Sequence, residues 1–303
     1  MATFYMMVGL PGSGKSTFAN KMLCDVVSSD GIRRELYGSE EDQSHNGEVF
    51  NEVHRRVMEK LVMKKDVILD ATNLSKKRRI SFLKELPQDV KKIAIVMATE
   101  LDIVYKQNSQ RRRVVPEGVI KRMLRTMSLP SVDEGWDFIR IIPHPDNKKS
   151  YYDYLSDCFD FDQDNPHHSL FLDKHMFKAA NYVIENRDKY NINDEDAWKV
   201  WLAAQLHDIS KPLCKTYELW SGKKDSHAHY YNHAEVGAYL FSCAMAQIEE
   251  KYRDKYLPVF LLIKLHMIAF DKKDKCDDFI LKNYGEDFLK MYKCLHDADL
   301  AAH

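Results

Sequence analysis

The run Gly9-Leu10-Pro11-Gly12-Ser13-Gly14-Lys15-Ser16 combines residue types that can hold a triphosphate. Glycines at 9, 12 and 14 let backbone N–H groups close on phosphate oxygens, and Lys15 reaches the β and γ phosphates. The Ser16 hydroxyl ligates Mg²⁺, and Ser13 and Thr17 complete the set expected around ATP. Such a loop serves kinases, GTPases and motor ATPases alike. Transfer to a hydroxyl also needs a carboxylate near the γ-phosphate to take the acceptor's proton. Asp30 follows the short stretch Asp25-Val26-Val27-Ser28-Ser29, where a strand would end at the cleft, and Arg33 lies three residues on. Together they would hold an acceptor hydroxyl and a neighbouring phosphate. The alternative for Asp30 is a helix N-cap for residues 31–37.

A second group of reactive residues lies far downstream. His175, His207-Asp208, His233, His266 and Asp299 recur at separations of roughly one helix and its connection. Metal sites in helical bundles are built this way, from imidazoles and carboxylates projecting inward from several helices. Ten of the 13 histidines follow residue 166, which marks the second half as the place for a metal.

The elements that must position these residues differ between the halves. In the first, short apolar strands (3–8, 66–69, 93–98) alternate with helical patterns beginning at Lys15, Lys76 and Leu101. Alternation of that kind predicts parallel βαβ units with ligands at the carboxyl ends of the strands. The pattern stops at Trp136, and residues 141–150, with Pro143 and Pro145, read as an exit from the first domain. Residues 151–166, rich in Tyr and Asp, read as a linker or docking segment. Beyond them the pattern is helical almost throughout, as in 196–210, ended by Pro212. The expected architecture is an α/β P-loop kinase domain with a parallel sheet over 1–145, a linker over 146–165, and an all-α domain over 166–303.

Composition agrees with a globular chain of 303 residues, 45% hydrophobic and 30% charged. Net charge is −1, but residues 1–150 hold 26 Lys and Arg against 20 Asp and Glu, while the rest hold 19 against 26. A basic first part suits a polyanionic substrate. The six cysteines form no C-x-x-C pair and are expected to be reduced and buried. The first apolar run leads into the phosphate loop, so it reads as a strand and not a signal peptide. Residues 257–270 are too short, and too interrupted by Lys264 and His266, to span a bilayer. The expected location is cytoplasmic, with no membrane partner.

Ser29-Asp30-Gly31-Ile32-Arg33, Asp70-Ala71-Thr72-Asn73-Leu74 with Arg78-Arg79, Asn108-Ser109-Gln110-Arg111 with Val115-Pro116, and the tail 123–142 with Glu134-Gly135-Trp136 resemble the polynucleotide 5′-kinase family of nucleic-acid end-healing enzymes. The resemblance spans roughly the first 142 residues. It implies Asp30 as general base, Arg33 on the acceptor strand and Asp70 as a Walker-B-like carboxylate. It also implies Arg111 on a lid over the phosphates, stabilising charge in the transition state. The family lid usually offers a second arginine four residues earlier, where this chain has Gln107, leaving Arg112 or Arg113 to compensate. A solvated basic run is the alternative for 111–113.

Over residues 166–303 the ordered set resembles the HD phosphohydrolase superfamily, with His207-Asp208-Ile209-Ser210-Lys211-Pro212 as the name-giving helix. His233-Ala234-Glu235-Val236-Gly237-Ala238 and Ala298-Asp299-Leu300-Ala301-Ala302 match later elements. The resemblance implies that His175, His207, Asp208 and Asp299 hold one metal, and that His233 and His266 add a second bridged by Asp208. Mixed N and O ligands suit Mn²⁺, Fe²⁺, Ni²⁺, Co²⁺ or Zn²⁺. Lys211 either neutralises substrate phosphate or is a helix-terminal surface lysine. His167, His168, His227 and His229 are left to loops or the surface. The expected function is phosphorylation of 5′-hydroxyl ends of RNA or DNA, joined to metal-dependent hydrolysis of 2′,3′-cyclic and 3′-phosphates, with a ligase as the downstream partner. The alternatives are a nucleoside or sugar kinase fused to a nucleotide phosphohydrolase, or a kinase gated by a nucleotide-sensing HD module.

Overall fold

The computed structural model describes residues 1–166 and 170–303, so His167 and His168 lie outside the described residues. It divides into two compact units, Met1–Asn147 and Lys148–His303.

The first unit is a five-stranded parallel sheet in the order β2-β3-β1-β4-β5, formed by β1 (Thr3–Val8), β2 (Asp25–Ser28), β3 (Val67–Asp70), β4 (Lys91–Ala98) and β5 (Phe138–Pro143). Its helices are α1 (Lys15–Ala19), α2 (Ser29–Tyr37), α3 (Asn46–Val62), α4 (Lys76–Glu85), α5 (Leu101–Ser109) and α6 (Glu117–Thr126). The central strands are covered on both faces, so β3 is buried at every residue and reads as a continuous apolar run instead of an alternating one. Because every strand runs the same way, the residues following β1, β2 and β3 all emerge at one edge of the sheet. One expectation fails here. The alternation does not stop at Trp136, because residues 138–143 pair with β4 as a fifth strand. Its closing proline is tolerated because β5 is an edge strand, where a missing N–H breaks no ladder.

A buried ion pair fastens the return of the chain to this strand. Arg79 of α4 meets Glu134 through two bonds of 2.7 Å each. Its third nitrogen donates to the carbonyls of Asn73 and Ser128 at 2.9 and 2.7 Å. Glu134 also accepts from Ser131 N and Trp136 Nε1. Arg79, from the expected motif, is therefore structural, whereas its neighbour Arg78 lines the cleft described below.

The second unit is helical: α7 (Tyr151–Ser156), α8 (Leu172–Asn186), α9 (Asp194–Leu206), α10 (Lys211–Cys214), α11 (His233–Ala244), α12 (Leu257–Leu265), α13 (Ile268–Lys272), α14 (Cys276–Tyr284) and α15 (Glu286–Ala301). It is not all-α, since β6 (Thr216–Glu218) and β7 (Lys224–His229) form an antiparallel hairpin. The segment expected as a linker is largely built into this unit. Ser150 caps α7 in a capping box with Asp153, and Tyr154, Leu155 and Cys158 are buried. All six cysteines are free, and all but Cys24 are buried. No described helix is long and apolar enough to cross a membrane.

Breaking one side of the Arg79–Glu134 pair strands a buried charge. Glu134→Ala should lower stability by about 3–5 kcal/mol, whereas the double change Arg79→Met with Glu134→Leu should cost much less. Urea unfolding checks both; an unchanged midpoint for Glu134→Ala would show that the pair does not fasten the tail.

Candidate functional site

The phosphate loop closes as its glycines permit. Gly12 has φ +81°, and a Cβ there would lie 2.5 Å from the Val104 carbonyl oxygen. No side chain fits in that gap. The loop borders a cleft of about 700 Å³ lined by Gly14, Lys15, Ser16, Thr17, Asp30, Arg33, Asp70, Gln107, Arg111, Arg113 and His144, among others. Lys15 is buried and its Nζ donates to Leu10 O at 2.7 Å. Burial lowers its pKa to about 8, against which Asp70 raises it, Arg111 lowers it further and Asp30 raises it. Ser16 Oγ donates to Asp70 Oδ2 at 2.6 Å, so the hydroxyl and carboxylate expected around Mg²⁺ stand side by side.

Asp30 is not the N-cap of α2. That place belongs to Ser28, whose hydroxyl accepts from Gly31 N at 3.3 Å, so the Asp30 carboxylate is released from capping. Three guanidinium groups converge on it: Arg33 at 2.9 Å, Arg111 at 3.3 Å and Arg113 at 3.4 Å. Arg33 is buried, bonds Asn46 Oδ1 at 2.7 Å, and keeps its Nε buried without a partner. Of the two arginines considered in place of Gln107, Arg113 reaches the cleft and Arg112 is exposed. Gln107 itself lies 3.1 Å from Nε2 of His144, which stands near Gly14. Sequence reasoning passed over His144 because its Pro-flanked segment read as an exit. Gly9 and Ser13 belong to the loop without lining the cleft.

In the second unit His175, His207, Asp208, His233, His266 and Asp299 come from five different elements to one place, all but Asp299 buried. His175 Nε2 lies 3.2 Å from His207 Nε2 and 3.0 Å from Asp299 Oδ1, and His207 Nε2 lies 3.3 Å from Asp208 Oδ2. On the other side of Asp208, His233 Nε2 and His266 Nε2 are 3.0 Å apart and stand 3.2 and 3.7 Å from Asp208 Oδ1. Close packing allows this approach. A Cβ on Gly237 of α11 would crowd Ile263 at 3.3 Å and touch the His207 carbonyl at 3.5 Å. Ser210 Oγ donates to His233 O at 2.6 Å, tying the His207-Asp208 turn to α11.

Proton placement follows from the outer contacts. Nδ1 of His207, His233 and His266 each faces the carbonyl three residues earlier, at 2.8, 2.7 and 2.7 Å. A carbonyl can only accept, so Nδ1 carries the hydrogen and Nε2 of a neutral ring presents a lone pair. Burial lowers the pKa of His233 and holds that of His266 down to about 3. Two lone pairs therefore face each other at 3.0 Å beside Asp208 Oδ1, a buried oxygen with no hydrogen bond. Such a set is repulsive unless a cation sits among the three atoms. At His207, burial opposes charge, yet Asp208 and Asp299 outweigh it and raise the pKa to about 10. Asp208 stays ionised because Lys211, His207 and His233 outweigh its burial. These residues fit a metal: His175, His207 and Asp208 form one candidate set, and Asp208, His233 and His266 another.

Lys211 is buried, not a surface lysine, with Nζ 2.7 Å from Asp208 and donating to Gln163 Oε1 at 2.8 Å. Two neighbours were not anticipated. Gln163 lay in the supposed linker, and His303 groups with His175 and Asp299 as a third candidate set. His227 is exposed, and His229 bonds Asp225 at 2.8 Å, both on the hairpin and outside these sets.

Residues 4–130 match the family described as AAA domain. A curated relative, L-seryl-tRNA(Sec) kinase of Methanococcus maripaludis, is 24% identical over 167 residues, covering 52% of this chain. The chain spans 65% of that relative's length, just under two thirds. A solved structure described as a Pnkp1/Rnl/Hen1 complex is similar at 21% identity over 49% of each chain, with a TM-score of 0.33. The first unit is a parallel-sheet P-loop domain of kinase-like type, and a helical region with grouped His and Asp residues that could hold a metal follows it.

Proposed function

We propose that the protein phosphorylates 5′-hydroxyl ends of polynucleotides in its first unit and hydrolyses 2′,3′-cyclic and 3′-phosphate ends in its second. The observation that carries the kinase reading is Asp30, a carboxylate free of capping duty in the same cleft as Lys15 and the Ser16–Asp70 pair. Asp30 would take the proton of the attacking hydroxyl. Its ion pairs with Arg111 and Arg113 are the longer ones, and phosphates entering the loop would draw both guanidiniums away, freeing the base as the lid closes. Arg33 would stay beside Asp30, at 2.9 Å, and hold that carboxylate in place at the cleft wall. A polyanionic acceptor accounts for so many guanidiniums better than a neutral nucleoside or sugar does. The curated relative is a kinase named for an RNA-borne substrate, which agrees with this choice.

For the second unit we propose an HD-type phosphohydrolase. His175, His207, Asp208 and Asp299 would hold one divalent ion and His233, His266 and Asp208 a second. Two such ions supply an activated water and a clamp on phosphate oxygens. Lys211, held by Asp208 and Gln163, would add fixed positive charge beside the phosphoester. Asp208 would position both histidine pairs, so its loss would remove both sets at once. Nucleases that leave a 5′-hydroxyl often leave a 2′,3′-cyclic phosphate opposite, and a ligase needs the reverse pair. One chain would then repair both sides of a break.

Transfer of labelled γ-phosphate from ATP to a 5′-hydroxyl oligonucleotide, with free nucleosides for comparison, tests the first activity. Lys15→Ala and Asp30→Ala should each reduce it by about 10²–10⁴-fold, the range for removing a positioned acid–base or charge-stabilising group. Asp208→Ala should leave it within about twofold. Near-wild-type turnover by Asp30→Ala would refute the base assignment.

Elemental analysis of the purified protein should find a transition metal that is lost with Asp208→Ala. Chelation should abolish hydrolysis of a 2′,3′-cyclic phosphate end and lower the melting temperature, since a ligand at about 100 times its Kd stabilises by about 2.7 kcal/mol. Lys15→Ala should keep both metal and hydrolysis. Turnover confined to free nucleoside phosphates would reject the end-healing role of this unit and leave the kinase reading standing.

A further inference from the structure

The hairpin of the second unit carries aromatic rings where no core exists to receive them. Trp220 sits in the turn between β6 and β7, where Gly222, at φ +80°, donates to Leu219 O at 2.8 Å. The indole is 71% exposed although Tyr231 lies 4.6 Å from its centroid. Its other face is therefore open to solvent. Tyr231 is tilted by 42° to the indole and is itself stacked on His229, parallel within 6° at 5.3 Å. Lys223 and Lys224 are exposed beside the turn.

This ladder is anchored to the ligand cluster and not left on a loose arm. Ala228 N donates to Asp164 O at 2.9 Å, and Asn165 Nδ2 donates to Ala228 O at 2.8 Å. Tyr230, between two rings of the stack, donates its hydroxyl to the Gln163 carbonyl, and its own carbonyl faces His233 Nδ1 at 2.7 Å. Gln163 in turn holds Lys211 at 2.8 Å. A ligand lying on Trp220 would be registered against Lys211 and His233.

We propose that Trp220, Tyr231 and His229, flanked by Lys223 and Lys224, form a stacking platform for bases of a single-stranded polynucleotide whose 3′ end lies at the histidine–aspartate cluster. The inference rests on the phosphohydrolase reading for the end it presents, but the platform itself is tested without turnover. An open aromatic face next to lysines matches the two parts of a nucleotide chain, a flat base and a phosphate, and such stacking tolerates any sequence. A purely apolar protein partner would have no use for the paired lysines.

The experiment titrates the full chain, without ATP or added metal, with an unphosphorylated octauridylate while tryptophan emission is followed. Emission should be quenched on binding. Trp220→Leu should lose that quench and weaken affinity about tenfold, within the range reported for one base–aromatic stack, while Trp220→Phe should keep most of the affinity. For a cyclic-phosphate octanucleotide, Trp220→Leu should raise KM by a similar factor with kcat within about twofold. Equal quenching and affinity in Trp220→Leu would overturn the platform, as would an equal KM, which would leave the hydrolase reading intact. If no cyclic phosphate is turned over at all, that reading fails and the titration still decides the platform. Trp220 emission that changes with protein concentration alone, together with dimer formation in sedimentation, would overturn it in favour of a face for a second copy of the chain.

Discussion

The second unit depends on keeping one carboxylate charged out of water. Asp208 is 2% exposed, and an isolated ion so placed would cost several kcal/mol. Lys211 offsets part of that cost, and the four surrounding histidines supply the remaining contacts. How those histidines are held is a matter of helix ends. His207 and His266 are the residues after the last full turns of α9 and α12, where carbonyls lack an intrahelical donor. Each gives its Nδ1–H to the carbonyl three residues earlier, so ending the helix and fixing the tautomer are one event. His233 does the same at the start of α11 with Tyr230. In all three, Nε2 is turned toward Asp208.

In the first unit the corresponding constraint is strand direction. Ser28 and Asp70 are register partners on β2 and β3, so Asp30, two residues past the end of β2, and Asp70 reach the same edge without any long connection. The loop after β1 arrives there as well, because β1 pairs with β3 in parallel. Side-chain chemistry then needs only short reaches, 2.6 Å between Ser16 and Asp70 being one of them.

Much of this was legible in the residues because it rests on local rules. The phosphate loop needs glycine where Gly12 approaches Val104, and the parallel strands announce themselves as apolar runs between helices. What escaped was set by long-range pairing. Nothing local marks Phe138–Pro143 as a strand, since four of its six residues are only partly buried and it ends in proline; its partner β4 makes it one. His144 follows from that strand, so it was missed together with it. The hairpin escaped because Lys224–His229 has one apolar residue, Ala228, facing inward. The supposed linker failed for a different reason, its Tyr and Asp content hiding a capped helix whose Tyr154 and Leu155 are buried.

The two sites manage phosphate charge in opposite ways, and on the proposed reading this sets how each is controlled. In the cleft, cationic side chains outnumber the carboxylate they converge on, so positive charge is built in and must be moved off Asp30 before that group can accept a proton. In the helical unit, lone pairs outnumber protons, so positive charge must be drawn in from solution. A cleft of the first kind is switched by the arrival of an anion. A cluster of the second kind is switched by the supply of a cation. Lys211 and Lys15 show the same contrast on a smaller scale: one is fixed between Asp208 and Gln163, while the other is held by a single backbone carbonyl that a phosphate can replace. On the proposed reading, the first site would reorganise as an anion enters, and the second would be completed by a cation held among side chains already in place.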